Sequence, residues 1–567
     1  MPRETASSPF ALLQRFGGVI RRLDRFPAVG RALNRLAVDR LVSRAAPRPY
    51  PRAVWSAAPI EALPGRPPGT PAEEGGETGG SDAPPPAPPD PDYTTWPGLT
   101  DRRFTSRHLP AAPADHVAAL PDPGEAAELF RRDRFVTSRS SVLFCFFAQW
   151  FTDSFLRTHP KDRRLNTSNH EIDLCQIYGL DARQADMLRE RRGGRLRVVE
   201  TGTGLYPPRL RSPDGDFDPA FAEMPYVTGA NGTPRIRALM EGGFEHAMPD
   251  PDCREALVEE RLPFLYASGL ERGNSTILYA AISTIFVREH NRIAAELAAA
   301  NPLWDDDRLF HTARCVNTVG LLRIVVEDYI NHIANLPFRF RTDVGFAERR
   351  PWYRTNRIAL EFNLLYRWHG LVPDRITLEG REVPSRDFRF NNALLERLGV
   401  EAVIAEASRQ PAGRIGLANT PDFLLGAELA AIEMGRTLRT QPYNAYRRAF
   451  RRRPHRDFSD FTSDEGLARR LEALYGDVDL VELHVGLFAD EPAPGAILGD
   501  LMRDMVAADA FSHALTNPLL SRNVYGPETF SRRGMEIIAE TSTLKDLVAR
   551  NRQDGGAGGV TAAFDHL

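Results

Sequence analysis

Lysine is nearly absent from this chain. Lys161 and Lys545 are the only two in 567 residues. Arginine carries the rest of the positive charge, a bias that points to a GC-rich, bacterial coding sequence more than to a chemical need. Cysteine is scarce as well. Cys145, Cys175, Cys253 and Cys315 lie far apart with no C-x-x-C pair, which argues against a disulfide framework or a zinc site. They are expected as free thiols in a reducing compartment. No run of about 18 apolar residues occurs, so no membrane-spanning helix is expected. The opening MPRETASSPF lacks the apolar centre of a secretory signal. Cytoplasmic location is therefore the default expectation. A net charge of −3 gives no reason to expect nucleic acid. The runs RRRP near Arg451 and ERR near Arg349 read as solvated faces. What remains is a chain 42% hydrophobic and 26% charged, long enough for a large buried core.

Composition changes along it. Residues 1–57 are Arg-rich: the first fifty hold ten arginines against Glu4, Asp24 and Asp39. Over 9–45, apolar and arginine residues interleave at helical spacing, with Phe10, Leu13, Phe16, Ile20, Leu23 and Phe26 as an apolar side. Such helices either lie in a membrane interface or dock on their own domain, and the pattern fits both. Residues 58–92, rich in Pro and Gly, read as a disordered linker. From 93 to 550 the pattern is mainly helical. Long helices are predicted over 275–300 and 306–335, shorter ones over 420–439 and 463–475. RLRVVET near Val198 and RITLEG near Thr377 are the best strand signals. The expected fold is one large all-α domain, followed by a flexible tail, 551–567.

The chemistry-bearing segment is EFNLLYRWHGLVP, Glu361 to Pro373. On one continuous helix Tyr366 and His369, three apart, share a face. A neutral imidazole in a dry setting is a good iron ligand. Asn363, one turn before Tyr366, is positioned to orient the ligand's other nitrogen. Spacing alone fits an ordinary buried histidine equally well.

The wording of the segment goes further. RIALEFNLLYRWHGLVPD closely resembles the proximal helix of the cyclooxygenase branch of animal-type haem peroxidases, a group of prostaglandin synthases and fatty-acid dioxygenases. Other segments resemble that family in order: FCFFAQWFTDSF (Phe144–Phe155) its distal helix, then EIDLCQIYG, LYPP, FVREHNRIA and VEDYINHI. SRQPAGRIG, TQPYNAYRRAF, LEALYGDVDLVELHVGLF and AFSHALTNPLL complete the series. The resemblance spans about residues 93–550. It implies a mainly α, cyclooxygenase-like peroxidase fold with haem b between the distal and proximal helices. His369 matches the proximal iron ligand, and no other metal site is expected. Tyr366 matches the tyrosine that becomes an oxidising radical, which takes hydrogen from an unsaturated fatty acid before O2 adds.

The distal side departs from the family. Gln149 is kept, but Asp153 stands where the distal histidine belongs. That histidine takes a proton from peroxide and returns it to the leaving oxygen. Either a buried Asp153 with a raised pKa replaces it, or peroxide activation is weak. Arg44, in RLVSRAAPRPYP, matches an arginine that pairs with the fatty-acid carboxylate, and it ties residues 9–45 to a membrane surface. Leu336 and His484 stand where the family has tyrosines. Ser512 matches a channel serine, with Ala510 an equal candidate. These changes argue against double oxygenation of the prostaglandin type. The residues leave three readings open: a tyrosyl-radical dioxygenase using fatty acid and O2, a peroxidase using Asp153, or a haem- or lipid-binding protein without turnover.

Overall fold

The computed structural model describes residues 16–44, 95–212, 215–227, 235–245, 248, 250–556 and 558–566. The expected linker 58–92 lies outside them. The architecture is mainly helical, with three two-stranded antiparallel ribbons. Val199–Thr201 pairs with Gly204–Tyr206, and Arg375–Leu378 with Arg381–Pro384, the two regions where strands are expected. The third ribbon, Thr137–Ser141 with Pro411–Gly413, brings the start of the distal helix to the GRIG segment.

That distal helix, Val142–Thr152, is apolar on every side, and ten of its eleven residues are buried. A helix without a polar face belongs inside a protein. Ser141 caps it by accepting from the Phe144 N–H at 3.2 Å. It packs on the central helix Ile277–Ala300, which Thr276 caps through the Tyr279 N–H at 3.1 Å. A third long helix, Asp306–Ile324, passes through a π-turn, Val325–Tyr329, into Ile330–Ala334. The stretch Asp306–Ala334 is long and apolar enough to cross a membrane, but 78% of its apolar window is buried within the fold. A π-turn shifts the register of every later side chain and is common at functional sites. Tyr329 sits in this one.

At the N-terminus, Pro27–Arg44 lays Asn34, Val38, Leu41 and Val42 against the domain, mainly on helix Asp500–Leu515. Arg35 pairs with Asp343 at 2.5 Å, and Asp24 with Arg341 at 2.8 Å. These helices dock on their own domain while leaving apolar side chains exposed.

The expectation of a flexible tail needs correction. Phe564 is 4% exposed. It packs on Phe147 at 5.0 Å and Phe144 at 5.9 Å, in the distal helix, and on Tyr329 at 6.0 Å. Ser141 clamps the backbone: its N–H donates to Phe564 O at 2.7 Å and its hydroxyl to Ala563 O at 2.6 Å. One aromatic residue among glycines and alanines is enough to anchor a segment whose composition otherwise reads as loose.

Candidate active site

The proximal segment is not one continuous helix. An α-helix covers Leu360–Leu365, Tyr366 ends it, and a single 3-10 turn comes next at His369–Leu371. The Asn419 amide draws the Gly370 carbonyl to 3.2 Å. Gly370 packs backbone to backbone on the GRIG segment, where a Cβ on it would lie 2.6 Å from Arg414 O. Only glycine allows that approach. The helix ends at Tyr366 and Gly370 lies inside the turn that follows, so helical spacing does not explain how Tyr366 and His369 come together. Both nevertheless line the same cavity, of about 480 Å³, a size typical of ligand sites.

His369 is one wall of that cavity, and its side chain is 17% exposed. Its Nδ1 lies 2.9 Å from Oε1 of Glu428, in an approach oblique to the ring N–H. Glu428 is fully buried. Its Oε1 accepts the Thr420 hydroxyl at 2.8 Å, and its Oε2 faces His484 Nε2 at 3.0 Å. Burial pushes the Glu428 carboxyl up, but the imidazoles of His369 and His484 outweigh it and hold the pKa low. Asn363 makes no hydrogen bond to His369. Its amide donates to Thr158 Oγ1 and its oxygen accepts from Arg367 Nη2 at 2.7 Å. The group that faces His369 Nδ1 is instead the Glu428 carboxylate, which sequence alone did not single out.

Tyr366 stacks on Trp368 at 4.5 Å and meets Phe362 edge-on at 5.1 Å. Its phenol oxygen is buried without an aligned hydrogen bond. Burial raises its pKa well above the usual tyrosine range, against a smaller lowering by the neighbouring phenol of Tyr329. A phenol so placed stays protonated, and it carries a hydrogen atom that no strong acceptor holds.

Gln149 and Asp153 line the same cavity. Asp153 comes just after the last turn of the distal helix and is 5% exposed. Burial raises its pKa, and Arg272 and Arg157 oppose that rise. Oδ1 accepts from Arg272 Nη1 at 3.2 Å, while Oδ2 is buried with no partner. Half of the Arg272 side chain faces open cavity, although protein surrounds it. Arg272, from the loop GLERGN, is a second residue the sequence reading missed.

The cavity is amphipathic. Phe146, Leu239, Leu371, Phe388 and Phe390 make an apolar part. At the other end Arg272 and Arg367 open onto an adjoining space of about 710 Å³, which Arg157, Arg163 and Arg235 also line. Burial lowers the Arg367 pKa to about 10, with Arg272 and Arg163 adding like-charge repulsion. An imidazole on one wall, an apolar slot and a guanidinium-rich edge fit a porphyrin that carries iron and two carboxylates. His369 would hold the iron, and Arg272, Arg367, Thr158 and Asn363 the polar edge.

The channel residues divide. Ser512 is turned inward. Its hydroxyl donates to Asp509 O at 3.1 Å and receives Arg354 Nη2 at 3.4 Å. Ala510 and Leu336 instead line a small apolar cavity with Leu41. Side chains two positions apart on a helix point about 200° apart, and of the two candidates Ala510 lines this cavity while Ser512 does not. Arg44 ends its helix, and its side chain lies outside the described residues.

Fold and cavity together define a mainly helical protein with a buried pocket, lined by an imidazole and by a carboxylate–arginine pair. Comparison with known proteins gives the family. The profile of the animal haem peroxidase family matches residues 128–558. Prostaglandin G/H synthase 2 of Equus caballus is 32% identical over 475 residues, covering 81% of this chain and 72% of that protein. Prostaglandin G/H synthase 1 of Mus musculus is 31% identical, covering 81% and 73%. The chain belongs to the animal haem peroxidase family, in its cyclooxygenase and dioxygenase branch, a family of haem-dependent enzymes. Among solved structures, the fatty acid alpha-dioxygenase of Oryza sativa superposes with a TM-score of 0.63 at 17% identity, covering 82% of this chain and 84% of that one. Peroxidase A of Dictyostelium discoideum gives 0.62 at 18%, covering 81% and 94%.

Proposed function

We infer that this protein is a tyrosyl-radical dioxygenase that adds O2 to an unsaturated fatty acid. The observation that carries this reading is Tyr366: a buried phenol beside the phenol of Tyr329, in the wall of the cavity that His369 also lines. Haem b, when bound, supplies the one-electron oxidation that makes the radical. The Tyr366 radical takes a hydrogen atom from the carbon between two alkene units, and its O–H bond reforms. O2 adds to the carbon radical. Return of the hydrogen atom from Tyr366 to the peroxyl oxygen releases a hydroperoxide and restores the radical. Tyr329 and Trp368 hold the phenol in place, and small misplacement in such steps is costly. Relatives named as prostaglandin synthases and a fatty acid alpha-dioxygenase support the substrate class. Gln149 keeps the catalytic and haem-binding role, and Arg44 the carboxylate-binding role, that the family resemblance implies for them.

A second activity is favoured by the Asp153–Arg272 pair. Asp153 takes the proton from peroxide and returns it to the leaving oxygen, and Arg272 stabilises the charge that develops. The apolar side chains left exposed at the N-terminus support attachment to a membrane surface, the source of lipid. One set of measurements tests both activities. Purified protein is expected to bind haem with a Soret band, lost in His369→Ala. Fatty-acid-dependent oxygen uptake is expected to vanish in Tyr366→Phe while peroxide consumption persists. Asp153→Asn is expected to slow peroxide consumption about 10²–10⁴-fold. Oxygen uptake unchanged in Tyr366→Phe defeats the radical assignment.

A further inference from the structure

We propose that Glu428 governs the electron-donating power of the proximal ligand, as a buried carboxylate facing His369 Nδ1 and held in place by His484 and Thr420. The proposal rests on the haem-site reading of His369. Glu428 is fully buried on helix Leu425–Thr437. A buried carboxylate is costly unless charge or hydrogen bonds compensate it, and an arginine is the common answer. Among the described residues no guanidinium bonds to Glu428. Its neighbours are one hydroxyl and two imidazoles.

His484 donates from Nε2 to Glu428, and its Nδ1 is buried with no partner. His484 is held in that orientation by Phe130, stacked at 5.3 Å, and by Phe488 at 5.0 Å. It therefore positions Glu428. The carboxylate keeps its negative charge, and the side of it left for His369 is Oε1, at 2.9 Å.

A carboxylate beside the distant nitrogen of a ligating histidine fixes the ring and raises its basicity. A more anionic imidazole favours oxidised iron over reduced iron. Glu428 thus biases the site toward peroxide-driven oxidation and away from a ferrous resting state. Glu428 and His484 are positioning residues, since they act only through His369.

The test uses the haem-loaded full chain, with spectroelectrochemical titration of wild type, Glu428→Gln and Glu428→Asp. Glu428→Gln is expected to shift the ferric/ferrous equilibrium about tenfold toward ferrous, about 59 mV for one electron. Haem affinity is expected to fall about 10–100-fold. Glu428→Asp, which keeps the charge, is expected to stay closer to wild type in both. A Glu428→Gln midpoint equal to wild type overturns the proposal and leaves the haem-site reading standing. Should that variant not fold, the iron–histidine stretch of ferrous wild type decides. It is expected above that of a haem bound by neutral imidazole, and a value equal to it overturns the proposal. A wild type that takes up no haem overturns both readings together.

Discussion

Glu171 shows how a single buried acid can set the pH response of this fold. Its Oε2 accepts the Asn356 amide at 2.8 Å, and Arg102 stands 3.9 Å from Oε1. The Arg102 side chain is 53% exposed, so solvent weakens its pull. Burial dominates and raises the Glu171 pKa from 4.5 to about 7. Below pH 4.5 the folded and unfolded chains both hold the proton, and Glu171 contributes nothing. Between 4.5 and 7 the unfolded chain loses the proton first, so stability falls as pH rises. Above 7 the cost is constant, roughly 3 kcal/mol at 1.36 kcal/mol per unit. Glu171→Gln keeps an acceptor for Asn356. It is expected to match wild type near pH 4.5 and to exceed it by roughly that amount at pH 8, read from denaturant midpoints. Such acids are hard to find from sequence, and the same holds at the active site. His369 and Tyr366 stand in a distinctive aromatic stretch. Glu428 sits in LGAELAAIEM, where an acid reads as solvent-facing, and Arg272 is one arginine among many. Only tertiary packing turns Arg272 toward the cavity and Glu428 toward His369.

At the level of elements, the long helices are legible because their apolar patterns are strong and their caps are in place. The predicted 275–300 and 306–335 correspond to Ile277–Ala300 and to Asp306–Ile324 with its π-turn and final turn. The proximal helix is legible only in part. Its apolar run continues past Tyr366, but the helix ends there, and the turn that follows packs through Gly370 on Arg414, a contact between residues more than forty apart. The C-terminal segment is the other failure, for the opposite reason: a low-complexity composition hides one decisive aromatic. Phe564 supports both the distal helix and Tyr329, which in turn faces Tyr366. Phe564→Ala is therefore expected to destabilise the fold by about 3–5 kcal/mol, read by denaturant unfolding. Its effect on fatty-acid-dependent oxygen uptake is expected to exceed its effect on haem binding, because it loosens Tyr329 while leaving His369 and Glu428 untouched.

The whole molecule is asymmetric in what it exposes. Among the described residues, six of the twelve large exposed hydrophobics fall between 16 and 36: Phe16, Val19, Leu23, Phe26, Val29 and Leu36. Arg21, Arg22, Arg25 and Arg31 are exposed in the same stretch. The opposite faces of these helices are committed to the domain through Val38, Leu41 and Val42, so the exposed side cannot turn inward without undocking. Apolar side chains next to guanidiniums suit an anionic lipid surface. Each arginine near such a surface contributes about 1 kcal/mol, and each buried large side chain about 1.5–3 kcal/mol. Leu41, on the inner face of the same helix, also lines the small apolar cavity of Leu336 and Ala510. Docking this helix on lipid would bring that cavity toward the acyl chains. Full-length protein is expected to co-sediment with vesicles containing anionic lipid and to bind less as salt rises. Phe16→Asp, Phe26→Asp and Leu36→Asp combined are expected to release it without lowering the thermal midpoint, since none of the three is buried. Oxygen uptake by the triple variant should then persist with fatty acid in free solution and fall with fatty acid presented in vesicles. Equal loss under both conditions would mean that these residues serve the fold rather than the surface.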